Sequence, residues 1–268
     1  MTGGAWTDRV KGVIASLSGK TAPPPRPDRP LYAVGDIHGR SDLLDRILNR
    51  IAEDRAENAL TDSDLVFLGD YLDRGPDSRG VLTRLRRIQA EAPGRVICLT
   101  GNHERMCLSF FGDSPHRAEH WLQNGGHETV ASFGLSSHEH TGPADAEALR
   151  RALRQAMGAT MLDWLGALPV FWQSGNVVCV HAGLTPTLAP DAQSEEVMLW
   201  SRPKNGHHPR PDGLWVVHGH TVTQPAAICG TRIAVDTGAY FSDILTAAVL
   251  VPGQPVRFLD TRDPARMR

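Results

Sequence analysis

No apolar run in this 268-residue chain is long enough to cross a membrane: the longest, Ile244 to Val251, falls far short of the ~20 residues a spanning helix needs. Met1 to Lys20 also lacks the apolar core of a secretory signal, so a cytoplasmic protein with no membrane partner is expected. Cysteine is scarce. The four residues Cys98, Cys107, Cys179 and Cys229 form no CxxC pair, which argues against a zinc ribbon or dithiol redox motif and leaves buried thiols as the expectation. Neither sign of charge dominates: 28 Lys plus Arg stand against 30 Asp plus Glu, a formal net charge of -2. The basic excess that supports nucleic-acid binding is missing, so no stable nucleic-acid binding is expected. With 41% hydrophobic and 22% charged residues, the composition is that of a soluble globular protein, and it excludes collagen-like, disordered and disulfide-scaffold classes.

Several phosphate-handling motifs are missing too. Neither GxxxxGK[ST] nor GxGxxG follows an early strand pattern. No cysteine has an arginine six positions later, where Glu104, Asp113, Thr185 and Val235 stand, so a Cx5R thiolate phosphatase is excluded. The one DxD, Asp62 to Asp64, precedes its strand and cannot supply an aspartyl-phosphate nucleophile at a strand's carboxyl end.

What is present reads as alternating strands and helices. Val10, Val13, Ile14 and Leu17 fall at helical spacing and predict a short N-terminal helix. In Thr21 to Pro30 five of ten residues are proline, an extended stiff segment. The reading is thus residues 1–29 as N-terminal helix and proline-rich linker, and residues 30–268 as the main domain. Leu31 to Val34, Leu65 to Leu68 and Val96 to Leu99 are continuous apolar runs. Between them lie an amphipathic helix over Asp42 to Ala56, with Ser41 as N-cap, and a second carrying Val81, Leu82, Leu85 and Ile88. This βαβαβ order implies a parallel sheet covered on both faces. Residues of about 105–167 read as a helical insert. The closely spaced runs Val177 to Val180, Leu214 to Val217, Ala226 to Cys229, Ile233 to Val235, Leu245 to Val251 and Val256 to Leu259 make the C-terminal half largely β.

Five of these runs end in polar turns: Gly35-Asp36-Ile37-His38-Gly39, Gly69-Asp70-Tyr71-Leu72-Asp73-Arg74-Gly75, Gly101-Asn102-His103-Glu104, His181-Ala182-Gly183 and His218-Gly219-His220-Thr221. One Asp beside Gly is ordinary turn chemistry, and one His at a strand end is ordinarily a hydrogen-bonded side chain. Five together are different, because in open α/β sheets ligands bind beyond the carboxyl ends of the strands. The pooled carboxylate, amide and imidazole groups suit hard or borderline divalent metals.

GDIHG, GDYLDRG, GNHE, HAG and GHT, in this order over about Leu31 to Phe258, resemble the PPP family of serine/threonine protein phosphatases, bacterial type, within the calcineurin-like metallophosphoesterases. The resemblance implies a fold class of α/β, a metallophosphoesterase sandwich of two mixed β-sheets flanked by helices, with a helical insert. It also implies two divalent metal ions, manganese expected and iron or zinc alternatives, sharing Asp70. One would be held by Asp36, His38 and Asp70, the other by Asp70, Asn102, His181 and His220, and the reaction would be in-line attack by metal-bound hydroxide. By the same resemblance His103 is the general acid, Asp73 the carboxylate that orients it, Arg74 and Arg202 the phosphate-binding arginines, and Tyr240 a pocket wall. Asp236 is expected to support the site by a hydrogen bond, and His218 is read as structural. Trp121 with Gly125-Gly126 belongs to a segment expected to shape the substrate entrance. The insert histidines His116, His120, His127, His138 and His140 show no tight ligand spacing and read as a solvated cap.

The expected partner is a phosphoprotein or phosphopeptide, with the oligomeric state open. The first alternative is a symmetrical bis(5'-nucleosyl)-tetraphosphatase acting on diadenosine tetraphosphate. Those enzymes share the scaffold but typically depart from the GDxxDRG and GNHE forms, whereas Asp73, Arg74 and Glu104 are intact here. A catalytically silent binding module is disfavoured, since it has no chemical reason to keep the full set.

Overall fold

The computed structural model describes residues 23–112, 114–137, 143–202 and 210–262. The proposed N-terminal helix, His138 and His140 lie outside them. Among the described residues ten strands form two sheets. The first has the order β10-β9-β1-β2-β3 and the second β4-β5-β6-β8-β7, built from β1 (Leu31–Val34), β2 (Asp64–Phe67), β3 (Val96–Cys98), β4 (Phe171–Ser174), β5 (Val177–Val180), β6 (Trp215–His218), β7 (Ala227–Cys229), β8 (Arg232–Ala234), β9 (Thr246–Leu250) and β10 (Arg257–Asp260). β1, β2 and β3 pair in parallel, while β9 runs antiparallel to β1 and β10 to β9, so the sheet is mixed.

Alternation along β1 shows why its whole run is apolar. Tyr32 and Val34 pack with Leu65 and Phe67 against helices α1 (Ser41–Glu57) and α2 (Ser78–Glu91). Leu31 and Ala33 point the other way, onto Val177, Cys179, Val217 and Ile233 of the second sheet. Both faces of the first sheet are covered as the sequence implies, one by helices and the other by the second sheet. Cys98, Cys107 and Cys179 are buried in these layers and Cys229 is half-buried.

Two local expectations change. Ser41 is the first residue of α1, not its cap: the N-cap is Arg40, with no side-chain cap bond. Arg40 instead forks onto Asp42 and donates to the Ala239 carbonyl, which ties the start of the helix to the rest of the fold without capping its N–H groups. The described part of the proline segment is bound along the second sheet. Arg26 N–H donates to Asn176 Oδ1 at 2.6 Å, Trp215 Nε1–H to the Pro23 carbonyl at 2.8 Å and Gly253 N–H to the Pro25 carbonyl at 2.9 Å. Free carbonyls on an extended chain make it a usable edge partner.

α3 (Asn102–Phe110) leads into the insert, which supplies α4 (Pro115–Trp121), a π-helical turn Leu122–Gly126, α5 (His127–Ser132), α6 (Pro143–Met157) and α7 (Ala159–Gly166). Short α8 (Glu195–Trp200) and α9 (Ala239–Ser242) follow. Among the described residues no helix is long and apolar enough to cross a membrane.

Asp54 of α1 fastens the edge of the first sheet. Arg257 of β10 donates to both its oxygens at 2.9 and 3.1 Å, and Tyr32 of β1 donates its hydroxyl at 2.7 Å. Burial works against the charge, but the Arg257 fork and the Tyr32 hydroxyl outweigh it and hold Asp54 below the usual carboxylate range. That stabilisation is complete above the unfolded carboxylate pKa of about 4 and is lost as pH falls through the lower folded pKa. Arg257→Ala should therefore cost about 1 kcal/mol near neutrality, the worth of a charged hydrogen bond discounted for a partly exposed guanidinium. The difference should shrink toward zero as pH falls through the lowered folded pKa of Asp54. Urea midpoints of both proteins across that range measure it, and a gap independent of pH would remove Asp54 from the account.

Candidate active site

The turns after β1, β2, β3, β5 and β6 meet in one crevice, and the backbone there is held where side chains rarely go. Among the described residues seven non-glycine positions have positive φ, and five of them are His38 (45°), Asp70 (52°), Asp73 (72°), Arg74 (68°) and His220 (61°). Each such conformation costs of order 1 kcal/mol or more, so its concentration here marks a site that surrounding contacts enforce. Ile37 and His38 N–H both donate to the Asp70 carbonyl, at 3.1 and 2.8 Å, and Gly39 N–H donates to Tyr71 O at 2.8 Å. Glu104, wholly buried in the first turn of α3, takes the N–H groups of Asp70 (2.8 Å), Tyr71 (2.8 Å) and Gly101 (2.7 Å) on its two oxygens. Gly69 is needed beside it: its φ is +102°, and a Cβ would lie 2.5 Å from Gly101 N.

Imidazole lone pairs are aimed inward by their backs. His38 donates Nδ1–H to the Leu72 carbonyl at 2.9 Å and His181 donates Nδ1–H to the Leu68 carbonyl at 3.0 Å, which leaves Nε2 of each as the free base. Burial works against charging these rings: His38 is pushed down to about 3, His181 is lowered, and His220 is pushed down to about 4 by burial and by His181. His38, Asp70 and His103 form one group whose donor atoms lie within 4.8 Å of one another, and Asp70, His181 and His220 form a second. Asn102 Oδ1 sits 2.8 Å from His181 Nε2 and 3.0 Å from His220 Nδ1. A carbonyl oxygen facing an imidazole lone pair at that distance lacks a proton to share, and the set fits a cation.

The carboxylates point the same way. Burial opposes the charge on Asp70, but the imidazoles of His181, His103 and His38 and the His103 N–H at 3.1 Å hold it ionised, well below the usual range. Asp36 is raised by burial and by Asp236 and Asp70, and burial pushes Asp236 up to about 6. Three buried acids in one crevice are electrostatically incomplete without positive charge. The donor set therefore fits two divalent cations sharing Asp70. Asp36 also accepts the His220 N–H on both oxygens, at 3.2 and 3.0 Å, so the same acid ties the two sheets together.

His103 is grouped with Asp70 and His38, but its contacts distinguish it. Its Nδ1 meets Asp73 Oδ2 at 2.7 Å, and its Nε2 looks into the cleft and accepts from Arg74 at 3.1 Å. Burial works against charging this ring, while Asp70 and Asp73 outweigh it and raise its pKa. Arg74 also donates to His38 Nε2 at 3.3 Å and stacks on Tyr240 at 4.9 Å. The cleft, of about 390 Å³, is lined by Asp36, His38, Asp70, Asn102, His103 and His220, with Arg74, Arg202, Asn124 and Trp200 around it.

The crevice thus brings together Asp36, His38, Asp70, Asp73, Arg74, Asn102, His103, His181, Arg202 and His220, with Tyr240 on the wall of an adjoining groove. His218 stays outside both donor groups, buried with Nδ1 directed to Gly219 O at 3.0 Å. Among the described residues no insert histidine joins a donor group. Of the entrance segment, Asn124 lines the cleft, but Trp121 is fully buried and donates its indole N–H to Asp73 at 2.9 and 3.1 Å. The sequence marks Glu104 as part of an intact GNHE but gives it no role; for Thr129, whose hydroxyl donates to Asp73 Oδ1 at 2.6 Å, it holds no signal.

Residues 29–229 match the sequence pattern of the calcineurin-like phosphoesterase family. The chain is 31% identical over 226 residues to serine/threonine-protein phosphatase 1 of Salmonella typhimurium, covering 82% of this chain and 91% of that protein. It is 27% identical over 234 residues to the asymmetrical bis(5'-nucleosyl)-tetraphosphatase PrpE of Bacillus velezensis, covering 80% and 86%. In fold it is similar to a protein serine/threonine phosphatase from Saccharomyces cerevisiae with similarity to human phosphatase PP5, at a TM-score of 0.54 and 16% identity over 87% of this chain and 80% of that one.

Glu104→Gln offers one carbonyl oxygen and an N–H₂ to three N–H donors, so the Asp70 turn should loosen. Manganese binding measured by calorimetry should weaken by roughly 10- to 100-fold, the usual cost of losing a group that orients a ligand. Unchanged affinity would show that the turn holds itself.

Proposed function

The chain belongs to the calcineurin-like phosphoesterase family, and on that premise we propose that it is a dinuclear-metal-dependent phosphomonoester hydrolase acting on phosphoserine and phosphothreonine in proteins. Asp36, His38 and Asp70 would hold one divalent cation and Asp70, Asn102, His181 and His220 the other, with manganese the expected ion and iron or zinc alternatives. When bound, the pair supplies concentrated positive charge that polarises phosphate oxygens and acidifies water.

The observation that carries the reading is the His103–Asp73 pair beside Arg74, set at the lip of a crevice whose floor is converging lone pairs. Asp73 holds Nδ1–H, so it is Nε2, once clear of Arg74 and protonated from solvent, that gives a proton to the leaving oxygen. An arriving phosphate competes for the Arg74 guanidinium and draws it off His103 Nε2. The planar donors of Arg74 and Arg202 then hold phosphate oxygens. Trp200 and Tyr240, 42% and 37% exposed, border this path and offer apolar surface to the residues that flank a phosphate. The likeness to Salmonella serine/threonine-protein phosphatase 1 over most of both chains supports a protein substrate.

A second reading, hydrolysis of dinucleoside tetraphosphates, has the likeness to PrpE behind it and would use the same crevice. Phosphate and nucleotide release by the manganese-reconstituted protein from phosphoserine, phosphothreonine and phosphotyrosine peptides and from diadenosine tetraphosphate separates the two. Phosphoserine and phosphothreonine peptides should turn over fastest, and His103→Asn should lower kcat on them by roughly 10²- to 10⁴-fold. A wide kcat/KM advantage for diadenosine tetraphosphate would transfer the site to nucleotide hydrolysis. Asp70→Asn should lose both manganese ions together by elemental analysis, and retention of one tightly held ion contradicts sharing.

A further inference from the structure

The helical insert grips the one dipeptide of the cleft in which both residues are strained. Asp73 and Arg74 are neighbours at positive φ, 72° and 68°, and contacts from three successive parts of the insert converge on them. Trp121, the last residue of α4, places its indole N–H 3.1 and 2.9 Å from the two oxygens of Asp73. Gly125, in the π-helical turn, accepts the Arg74 N–H on its carbonyl at 3.2 Å. Thr129 of α5 donates its hydroxyl to Asp73 Oδ1 at 2.6 Å and accepts the Asp73 N–H at 2.9 Å. Ser78 of α2 also accepts that N–H, at 3.0 Å, and lies 3.0 Å from the Thr129 hydroxyl.

The kink makes this possible. Eight residues along a straight helix would separate Trp121 and Thr129 by about 12 Å of rise. The non-helical Asn124 and the left-handed Gly125 (φ +106°) fold the chain so that both side chains reach one carboxylate. Gly125 is required at the closest approach, since a Cβ there would lie 2.7 Å from Arg74 N. π-Helical turns of this kind recur at functional sites.

Core packing alone accounts for part of Trp121, whose ring lies 4.8 Å from that of Phe110. It does not account for the choice of partner. A buried indole N–H needs any acceptor; this one takes both oxygens of the carboxylate that holds His103, and Thr129 takes the oxygen His103 leaves. With every donor in place the plane of Asp73 is fixed, Oδ2 lies along Nδ1–H, and His103 Nε2 faces the cleft.

We propose that Trp121 and Thr129 are positioning residues for proton transfer, acting through Asp73 on His103, and that the insert serves the reaction as a brace. This rests on the phosphatase reading only for the role of His103. The test compares the full-length, manganese-reconstituted protein with Trp121→Phe, Thr129→Val and Thr129→Ser on phenyl phosphate and p-nitrophenyl phosphate. The poorer leaving group, phenolate, needs the proton more. Trp121→Phe and Thr129→Val should each lower kcat on phenyl phosphate by roughly 10-fold, a fraction of the full general-acid effect, and on p-nitrophenyl phosphate by less than about 2-fold. KM should hold on both, and Thr129→Ser should recover the wild-type pattern. Equal losses on the two esters, or none, overturn the proposal.

A second readout needs no turnover. In the metal-free protein the His103 Nδ1 proton, assigned by its disappearance in His103→Asn, should shift or broaden in the proton NMR spectrum of Trp121→Phe and Thr129→Val and return in Thr129→Ser. If the wild type hydrolyses neither ester, the phosphatase reading fails while this spectrum still decides the brace, and an unmoved resonance overturns it. Should Trp121→Phe lose its fold by circular dichroism, the Thr129 pair carries both measurements.

Discussion

Keeping Asp70 ionised at the bottom of a closed crevice is the constraint on which the remaining architecture depends. A carboxylate removed from water is expensive unless charge and hydrogen bonds surround it. Here imidazoles from three other turns face it, α3 directs the His103 N–H at it, and Glu104 fixes the backbone on which it rides. Remove the carboxylate and the two donor groups have no common member. The left-handed turns after β1, β2 and β6 serve the same demand, since they bring His38, Asp70 and His220 toward one point.

Labour is divided by element. The first sheet and its turns carry Asp36, Asp70, the His103–Asp73 pair and Arg74 at the mouth. Imidazoles from the second sheet complete the other half of the crevice, and Asp36 fastens that half by accepting the His220 N–H. The insert touches neither donor group but holds the carboxylate beneath His103. Precision at the mouth therefore rests on an element that contributes nothing to the floor.

Much of the site was legible in the sequence because each of its pieces is a polar turn closing an apolar run, and such turns carry both a glycine signal and a chemical one. His38, Asp70 and His220 stand out by residue type, and the structure places them together. Less visible was anything that acts by backbone geometry or distant contact. Ser41 looked like a helix cap because its hydroxyl and position suit one, yet Arg40 had a better tertiary partner. β4 was missed because Phe171–Ser174 is short, only half-buried and mixed in character. Thr129 is one threonine among many until the kink at Gly125 turns it onto Asp73, and no local pattern encodes that turn's direction.

Asp36 and His220 are joined across 184 residues, and this separation governs when the crevice can exist. A chain emerging from the ribosome carries Asp36, Asp70 and His103 long before the strand bearing His220 is made. Until then the early acids lie unpaired in a partial sheet. Closure of so long a loop costs entropy before its contacts repay it, and chains rich in such contacts fold slowly. The crevice cannot be complete until the two sheets dock, so recovery of its ion-binding capacity reports that docking more faithfully than recovery of helix or strand content.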